Sequence, residues 1–319
     1  MSRKVVAQDG TGDYTSVAEA LNALGNSEDI HLFLKNGIYK EKIGIEKKNI
    51  FLEGESREGT ILEFGDGAFH PHPDGKPYGT FRSYTLYLWG DKVRLHHLTV
   101  NNTVGAGDIH GQGIALYLDA PLFDVFDVAL NGHQDTLFMA PLPKEPRTKG
   151  SFIGPGEYRE RRSSTGRISH STISGDVDFI FGGANVLFEH CNIESLDQGK
   201  GEVNYIAAPC TRQDDIGFIF KKSRFISDSG RKMTYLARPW REFAKAAFVE
   251  CEFSEHLLPG AFDPWGDENH KKTTDFNLDP SNYFKKDELN FGNILFREEI
   301  MVYDSIVNKI QTELKKGWE

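Results

Sequence analysis

Asp178 stands inside an apolar run, where a carboxylate is unusual and requires a chemical explanation. The segment Gly175–Gly183 reads Gly-Asp-Val-Asp-Phe-Ile-Phe-Gly-Gly. An unpaired buried carboxylate is very costly, so the side chain must face a groove or lie beside a cation. A lone aspartate in such a place is more often structural, in a salt bridge or a turn, than catalytic.

Strand alternation predicts where the side chains of this run point. Successive side chains of an extended strand face opposite sides of the sheet. One face is then expected to carry Asp176, Asp178 and Ile180, and the other Val177, Phe179 and Phe181.

A second carboxylate, Asp135, occurs in the similar segment Gly132–Phe138. If the chain is a solenoid, equivalent positions of successive coils stack at about 4.8 Å, which would make Asp135 and Asp178 near neighbours. Arg238 supplies a cation further along the chain. An arginine beside paired carboxylates pushes their pKa values apart, so the Asp that pairs with it stays ionised and its neighbour tends to hold a proton.

Two glutamines precede the first of these aspartates in the chain. Gln112 lies before Gln134 by a distance in sequence that is comparable to one coil of the expected solenoid. Taken singly, each glutamine is more often a surface or ladder amide than a functional group. The segment Arg238–Trp240 on its own is likewise more often an ion pair beside a core aromatic residue.

Other polar clusters favour simpler explanations. The sequence contains two close histidine pairs, His70 with His72 and His96 with His97. Neither pair has a third ligand at the usual spacing, so we expect no metal site and no cofactor. The basic cluster Arg159–Arg162 is typical of a solvated loop, although it is the best candidate in the sequence for contacting the carboxylates of a substrate.

Composition narrows the possible partners. The 319 residues carry a formal net charge of -10 with a pI near 5.6, which argues against nucleic acid because phosphate binding needs a basic face. No apolar run is long enough to span a membrane. Three cysteines are too few for a disulfide framework. The first residues lack the apolar stretch of a secretory signal, so we expect either a cytoplasmic protein or one whose leader has been removed.

The elements that must position these residues are mainly short strands. A helix is expected over Ser16–Gly25, with Ser16 as N-cap, and a second one over Glu298–Trp318. Between them a six-residue unit recurs at irregular spacing, for example in Leu95–Val100 and Phe188–Ile193. A recurring strand-turn unit predicts an all-β parallel β-helix, whereas the competing β-sandwich predicts hairpin turns.

The expected organisation is a single domain over residues 1–319. Its solenoid would run from about 4 to 255, the first helix would cap its open end, and an extension over about 256–319 would pack on it. Two loops interrupt the rhythm of the strands, Phe69–Arg82 and Pro141–Thr165. Both are expected to project from the solenoid and to wall a groove.

Four blocks of the sequence resemble, in order, the signature blocks of the pectin methylesterases, or pectinesterases. They are Gln112–Leu116, Gln134–Phe138, Gly175–Gly182 and Leu236–Trp240. The segments Val6–Tyr14 and Asn36–Glu41 are similar too, and the likeness covers roughly residues 4 to 255.

The resemblance implies a right-handed parallel β-helix and metal-free hydrolysis of the C6 methyl esters of pectin or its oligomers. By position, Asp178 matches the nucleophile, Asp135 the acid and base, and Arg238 the residue that keeps the nucleophile ionised. Gln112 and Gln134 match the amides that stabilise the oxyanion. The residues that match substrate contacts are Trp240, Phe138, Phe181 and Val177. Asp176 has no counterpart among these roles, so we expect that it can be replaced without loss of catalysis.

The sequence also departs from the family pattern. Ala237 stands where the family usually has glycine, much of Pro141–Thr165 is an insertion, and the chain after Glu255 matches poorly. The alternatives are a β-helix pectin lyase or polygalacturonase and a non-catalytic glycan-binding β-helix. The expected partner is pectin or its oligomers, with no nucleic acid, no membrane and a monomeric chain. The expected location is secreted or periplasmic if a leader has been removed, with a cytoplasmic location as the alternative.

Overall fold

The computed structural model describes residues 2–198, 201–280 and 283–318. Short strands make up most of this part of the chain. In chain order they are β1 (Arg3–Val6), β2 (Asp29–Leu34), β3 (Gly37–Tyr39), β4 (Ile43–Glu46), β5 (Asn49–Gly54), β6 (Thr60–Phe64), β7 (Leu86–Trp89), β8 (Lys92–His96), β9 (Thr99–Asn102), β10 (Leu116–Asp119), β11 (Leu122–Phe126), β12 (Ala129–Asn131), β13 (Leu137–Met139), β14 (Thr165–Ser169), β15 (Thr172–Gly175), β16 (Val177–Gly182), β17 (Asn185–Glu189), β18 (Asn192–Ser195), β19 (Asn204–Pro209), β20 (Phe218–Lys221), β21 (Arg224–Ile226), β22 (Thr234–Ala237), β23 (Lys245–Val249), β24 (Glu252–Phe253), β25 (Asp275–Leu278) and β26 (Asn293–Ile294).

Helices are few. They are α1 (Val17–Leu24), α2 (Gly107–His110), α3 (His270–Thr273) and α4 (Arg297–Trp318), with one 3₁₀ turn at Thr80–Arg82. None of the helices in the described ranges is long and apolar enough to cross a membrane.

The strands form three parallel sheets that wind into a parallel β-helix. Sheet A has the order β1-β2-β5-β8-β11-β14-β17-β20-β23-β25-β26, sheet B the order β24-β21-β18-β15-β12-β9-β6-β3, and sheet C the order β22-β19-β16-β13-β10-β7-β4. Consecutive strands of the chain therefore pass from one sheet to another, and each strand pairs with the strand one coil away. The fold predicted from the recurring unit is confirmed, and the β-sandwich alternative is wrong, since the paired strands run parallel.

The register between neighbouring coils aligns residues of similar type in rows. In sheet C, Leu86 pairs with Leu116, Leu116 with Leu137, and Leu137 with Ile180. These four side chains are fully buried in the central core. Removal of a leucine or isoleucine side chain from water contributes about 1.5–3 kcal/mol, so each such row stabilises several coils at once.

Helix α1 closes the first coil, as the sequence predicts. Ser16 Oγ accepts a hydrogen bond from the Glu19 amide at 3.1 Å, which makes it the N-cap. Val17 and Ala20 are buried against the central core. The helix therefore covers apolar surface that the end of a solenoid would expose to water.

Helix α4 confirms the second predicted helix and packs along the outside of sheet A. Val307, Ile310 and Leu314 are buried there against Leu187 and Ile219. The spacing of these helix residues is the amphipathic pattern that the sequence shows.

Sheet A extends beyond residue 255, where the sequence places the end of the solenoid. Strand β25 pairs in parallel with β23, and β26 pairs with β25. Both strands lie in a polar segment and β26 has two residues only, which is too short for a hydrophobic alternation to be read from the sequence.

The strand around Asp178 does not alternate as predicted. Asp178 has φ 49° and lies in the left-handed region. Val177 pairs with Tyr205 and Ile180 pairs with Ala207, so three residue steps along β16 face two along β19. Strand β16 therefore contains a bulge. Phe179 and Ile180 consequently both face the central core, while Phe181 packs on the outer face of sheet C. The expected shared face of Asp176, Asp178 and Ile180 is therefore wrong.

Candidate active site

Asp178 and Arg238 form a bidentate ion pair on the outer face of sheet C. Arg238 Nε donates to Asp178 Oδ1 at 2.7 Å, and Nη2 donates to Oδ2 at 2.6 Å. The two side chains are 8% and 14% exposed. Both carboxylate oxygens thus accept a charge-assisted hydrogen bond, which fixes the orientation of the carboxylate.

The guanidinium of Arg238 is held in place by two aromatic rings. Its central carbon lies 3.6 Å from the centroid of Tyr205 and 3.8 Å from that of Trp265. Cations over aromatic faces are attracted by the ring quadrupole, and stacking limits the rotation of the planar group. Arg238 therefore presents its fork to Asp178 in one orientation.

Asp135 is the neighbour of this pair on the preceding coil. Its backbone amide donates to the carbonyl of Val177 at 3.0 Å, directly before Asp178. Asp135 also has a left-handed conformation, with φ 67°. Such conformations are uncommon for residues other than glycine and recur at functional sites, where they direct a side chain away from the normal alternation.

The surroundings of Asp135 and Asp178 affect the pKa values of the two carboxyl groups differently. Burial, followed by the charge of Asp178, raises the pKa of Asp135 well above its usual range. Burial also raises the pKa of Asp178, but Arg238 opposes that rise through its charge and its hydrogen bonds. Asp178 is therefore the group that ionises first, and Asp135 is the group that keeps its proton.

Gln112 and Gln134 line the same pocket as the two aspartates. Both precede strands of sheet C, which places them on adjacent coils. Within the described part of the chain, neither side-chain amide has a hydrogen-bond partner in the protein. Their NH₂ groups are free to donate to a ligand atom in the pocket.

The pocket has a volume of about 220 Å³. Aromatic and polar side chains surround the two carboxylates. The lining residues are Thr80, Phe81, Gln112, Gln134, Asp135, Ser151, Phe152, Asp178, Phe181, Ala208, Arg238, Trp240 and Trp265. Seven of the nine site residues expected from the sequence are thus brought together.

Two predicted substrate contacts do not line the pocket. Phe138 is fully buried, because Phe81, Tyr117 and Phe181 pack on its ring with centroids within 5.0 Å. Its predicted contact with substrate is therefore wrong, and it supports the ring of Phe181 from below. Val177 is half-buried beside the pocket, and its contact with substrate stays a prediction.

The arginines of the basic cluster are occupied by protein groups. Arg159 pairs with Glu46 at 2.6 Å, and Arg162 pairs with Asp91 at 2.9 Å. Arg161 donates to carbonyls within its own loop, among them that of Gly156 at 2.6 Å. Since these groups anchor the loop, the structure does not favour them as contacts for substrate carboxylates.

Several pocket residues are missing from the sequence-based prediction. Phe81 and Phe152 come from the two long loops, which the sequence indicates only as walls of a groove. Trp265 lies after Glu255, in a region where the family resemblance assigns no site residue. Its Asp-Pro-Trp-Gly context, an isolated tryptophan in a turn, is the one signal in the sequence that points to it.

The family model for pectinesterase matches residues 3–142 and 166–282. It leaves out residues 143–165, which agrees with the expected insertion. It also continues past Glu255, so the expectation of a poor match from there on is wrong up to residue 282.

Curated relatives carry the same name. "Probable pectinesterase 56" of Arabidopsis thaliana is 32% identical over 260 residues, covering 77% of this chain and 79% of that protein. "Probable pectinesterase/pectinesterase inhibitor 23" of the same plant is 28% identical over 84% of this chain. The aligned part is 44% of that relative, so this chain spans less than half its length.

A solved structure of carrot pectin methylesterase superposes with a TM-score of 0.72. It is 27% identical, and the superposition covers 86% of this chain and 81% of the carrot protein. The right-handed parallel β-helix implied by the sequence resemblance is thereby confirmed.

Proposed function

This chain belongs to the pectinesterase family, and we propose that it removes methyl esters from the C6 carboxyl groups of homogalacturonan or its oligomers, releasing methanol. The observation that carries the proposal is the Asp178–Arg238 pair beside Asp135 in one small pocket. One ionised and one protonated carboxyl in contact with the same bound ester are what acyl transfer through a carboxylate requires.

In the first half of the reaction, Asp178 attacks the carbonyl carbon of the ester. A bond forms between a carboxylate oxygen and that carbon, and the carbonyl oxygen takes up negative charge. The free amides of Gln112 and Gln134 donate to this oxyanion. When the intermediate collapses, the carbon–methoxy bond breaks, and Asp135 gives its proton to the leaving oxygen, which departs as methanol.

In the second half, the anionic Asp135 takes a proton from water. The resulting hydroxide equivalent attacks the acyl carbon, and the bond to Asp178 breaks as its carboxylate leaves. The product is a galacturonic acid unit, Asp135 is protonated again, and Asp178 returns to its ion pair with Arg238. Apart from the ester and water, every group in this scheme is a side chain of the protein, so the proposal needs no cofactor.

The burial of the pair supports this assignment of roles. A carboxylate is a weak nucleophile that is useful only when its orientation is fixed and water is excluded. Two hydrogen bonds from Arg238 fix Asp178. Phe181 and Trp240 line the pocket, and the half-buried Trp240 offers flat apolar surface to a sugar ring.

The proposal includes pectin as the partner, a monomeric chain and a location outside the cytoplasm. The relatives and the structural neighbour are named for pectin, and nothing in those names supports the cytoplasmic alternative.

Replacement of the two aspartates tests the proposal. Methanol release from methylated galacturonan is expected to fall by about 10³-fold or more in Asp178→Asn and in Asp135→Asn, because each role belongs to one carboxyl. Asp176→Thr is the matched control. Asp176 is as buried as Asp178, but it pairs with His133 at 2.8 Å and lies outside the pocket lining.

The control variant is expected to keep its activity at a lower melting temperature. Near-complete inactivation of folded Asp176→Thr would show that the wrong carboxylate is assigned. Unchanged methanol release in both Asp178→Asn and Asp135→Asn would refute the mechanism.

A further inference from the structure

The insertion at residues 143–165 lies across the outer face of sheet C. It follows β13 and returns to the solenoid at β14. Gly156 lies so close to the hydroxyl of Tyr117 on β10 that an added Cβ would collide with it. Gly154 is similarly close to Phe81, whose carbonyl oxygen would lie 2.7 Å from a Cβ. The insertion thus covers the coils that precede Asp135.

The loop Phe69–Arg82 meets the insertion from the opposite edge of the sheet. The rings of Phe81 and Phe152 have centroids 5.7 Å apart. Phe152 is 4% exposed, and its ring is also 6.2 Å from that of Trp240. Two loops from opposite edges therefore touch above the sheet, and we call this contact the bridge.

The bridge lies over an aromatic row and covers three of its four residues. Tyr87, Tyr117, Phe138 and Phe181 pair in register across sheet C, one on each coil. Such a row would offer successive sugar rings a flat apolar track. The first two residues of the row are at most 2% exposed, and Phe138 is fully buried. No sugar ring can contact these three side chains.

Two tyrosines lie on the C-terminal side of Asp178, in a separate row, because Tyr205 pairs with Val177 whereas Phe181 pairs with Ala208. Tyr205 and Tyr235 on β19 and β22 stack with centroids 5.8 Å apart. Both residues are half-buried. Because the Arg238 guanidinium lies over the ring of Tyr205, the ring that a sugar could contact here is that of Tyr235. The described residues therefore leave a route for a glycan from Asp178 towards the C-terminal coils.

Ion pairs hold the insertion at its far end. Arg159 and Arg162 lie over the ring of Trp89, at 4.3 and 5.0 Å from its centroid. Both also pair with acidic groups of the first coils, Glu46 and Asp91. Anchors on two coils make the insertion a fixed wall rather than a mobile loop.

We propose that the bridge closes the groove on the N-terminal side, so that the enzyme demethylates the unit at one end of a galacturonan chain while the rest of the chain extends past Tyr235 towards the C-terminal coils. This inference rests on the proposed esterase activity. The pocket volume of about 220 Å³ agrees with it, since pockets for drug-sized ligands measure about 300–1,000 Å³. A pocket of this size suits a single ring.

The stoichiometry of methanol release tests the proposal. A chain that presents only its terminal unit loses one ester, because the next ester is internal and cannot reach Asp178. We expect one methanol per chain from fully methylated hexagalacturonate and from long galacturonan alike. Mass spectrometry of the hexamer labelled at its reducing end should place the lost methyl group on one terminal unit.

Two variants open the wall without touching the catalytic groups. Phe152→Ala removes the ring that meets Phe81, and Arg159→Ala with Arg162→Ala releases the anchors. Both are expected to release several methanol molecules per chain and to act on internal units. Tyr158→Ala, in the same insertion but 92% exposed, is the matched control and should behave as the wild type.

The outcomes separate this inference from the function on which it rests. Release of internal methyl groups by the wild type, or a yield of one methanol per chain in both opened variants, would overturn the closed groove and leave the esterase activity standing. Absence of methanol from every methylated galacturonide would overturn the proposed activity, and the inference would fall with it.

Discussion

Substitution of Arg238 by glutamine probes the link between the ion pair and the chemistry. The amide that Arg238→Gln introduces can keep one hydrogen bond to Asp178, but it carries no charge and no fork. Asp178 would then remain buried without the cation that opposes the rise of its pKa. Stability and the pH dependence of activity should both respond.

The size of the stability effect follows from the geometry. The variant loses charge-assisted hydrogen bonds at 2.7 and 2.6 Å, each contributing about 1.5–3 kcal/mol. Removal of one partner from a buried ion pair costs about 3–5 kcal/mol, because the other charge is left uncompensated. We expect a loss of this size in the free energy of unfolding at neutral pH.

The pH profile has a definite sign. Asp178 must be ionised to attack, so activity is lost as the pH falls through its pKa. Without Arg238 that pKa lies higher, and the acid limb of kcat moves to higher pH, with about a tenfold loss per pH unit below it. Raising the pH should recover part of the lost activity in Arg238→Gln.

Two further variants serve as controls. Arg238→Lys keeps the charge but not the bidentate fork, so its acid limb should lie between those of wild type and Arg238→Gln. Addition of Asp178→Asn to Arg238→Gln should cost less stability than the sum of the single changes, since no unpaired charge remains. The reasoning is refuted if Arg238→Gln keeps the wild-type acid limb and stays within about 0.5 kcal/mol of wild-type stability.

The glutamines and Asp135 give two more predictions. Gln112→Leu and Gln134→Leu should each lower kcat by about 10²–10³-fold with a smaller change in KM, because their amides act on the oxyanion; steady-state methanol release would contradict this if only KM changed. Asp135→Asn should be more stable than wild type at pH 7 and equal to it near pH 4. Wild-type stability falls as the pH rises from the unfolded pKa of about 3.9 towards the raised folded pKa of Asp135, by up to about 1.4 kcal/mol per pH unit. A constant difference in urea unfolding across pH 4–7 would contradict this prediction.

The sequence indicates the catalytic groups because their context is unusual. Asp178 stands between apolar residues, and Asp135 is followed closely by Leu137 and Phe138, so each carboxylate needs either a partner or a function. The recurring strand unit then brings residues far apart in the chain onto adjacent coils. Stacking by one coil per step is enough to place Asp135, Asp178 and Gln134 in one pocket without knowledge of the loops.

The paths of the two long loops could not be predicted from the sequence. Phe81 and Phe152 meet across the sheet through the path of two long irregular segments, and no periodicity specifies such a path. Phe138 illustrates the consequence. The family resemblance implies a ring on the groove floor, but Phe81 of the bridge packs on it. The same residue type at the next coil, Phe181, lines the pocket.

The bulge in β16 explains why a charged residue can occupy an apolar strand. A left-handed residue other than glycine costs about 1–3 kcal/mol, and Asp178 is such a residue. The bulge lets Phe179 and Ile180 both enter the central core, where each contributes about 1.5–3 kcal/mol. Core packing on both residues therefore offsets the strain at Asp178 and keeps its carboxylate on the groove side. A regular strand would give up one of these core contacts, so the apolar residues beside Asp178 are part of what fixes it towards Arg238.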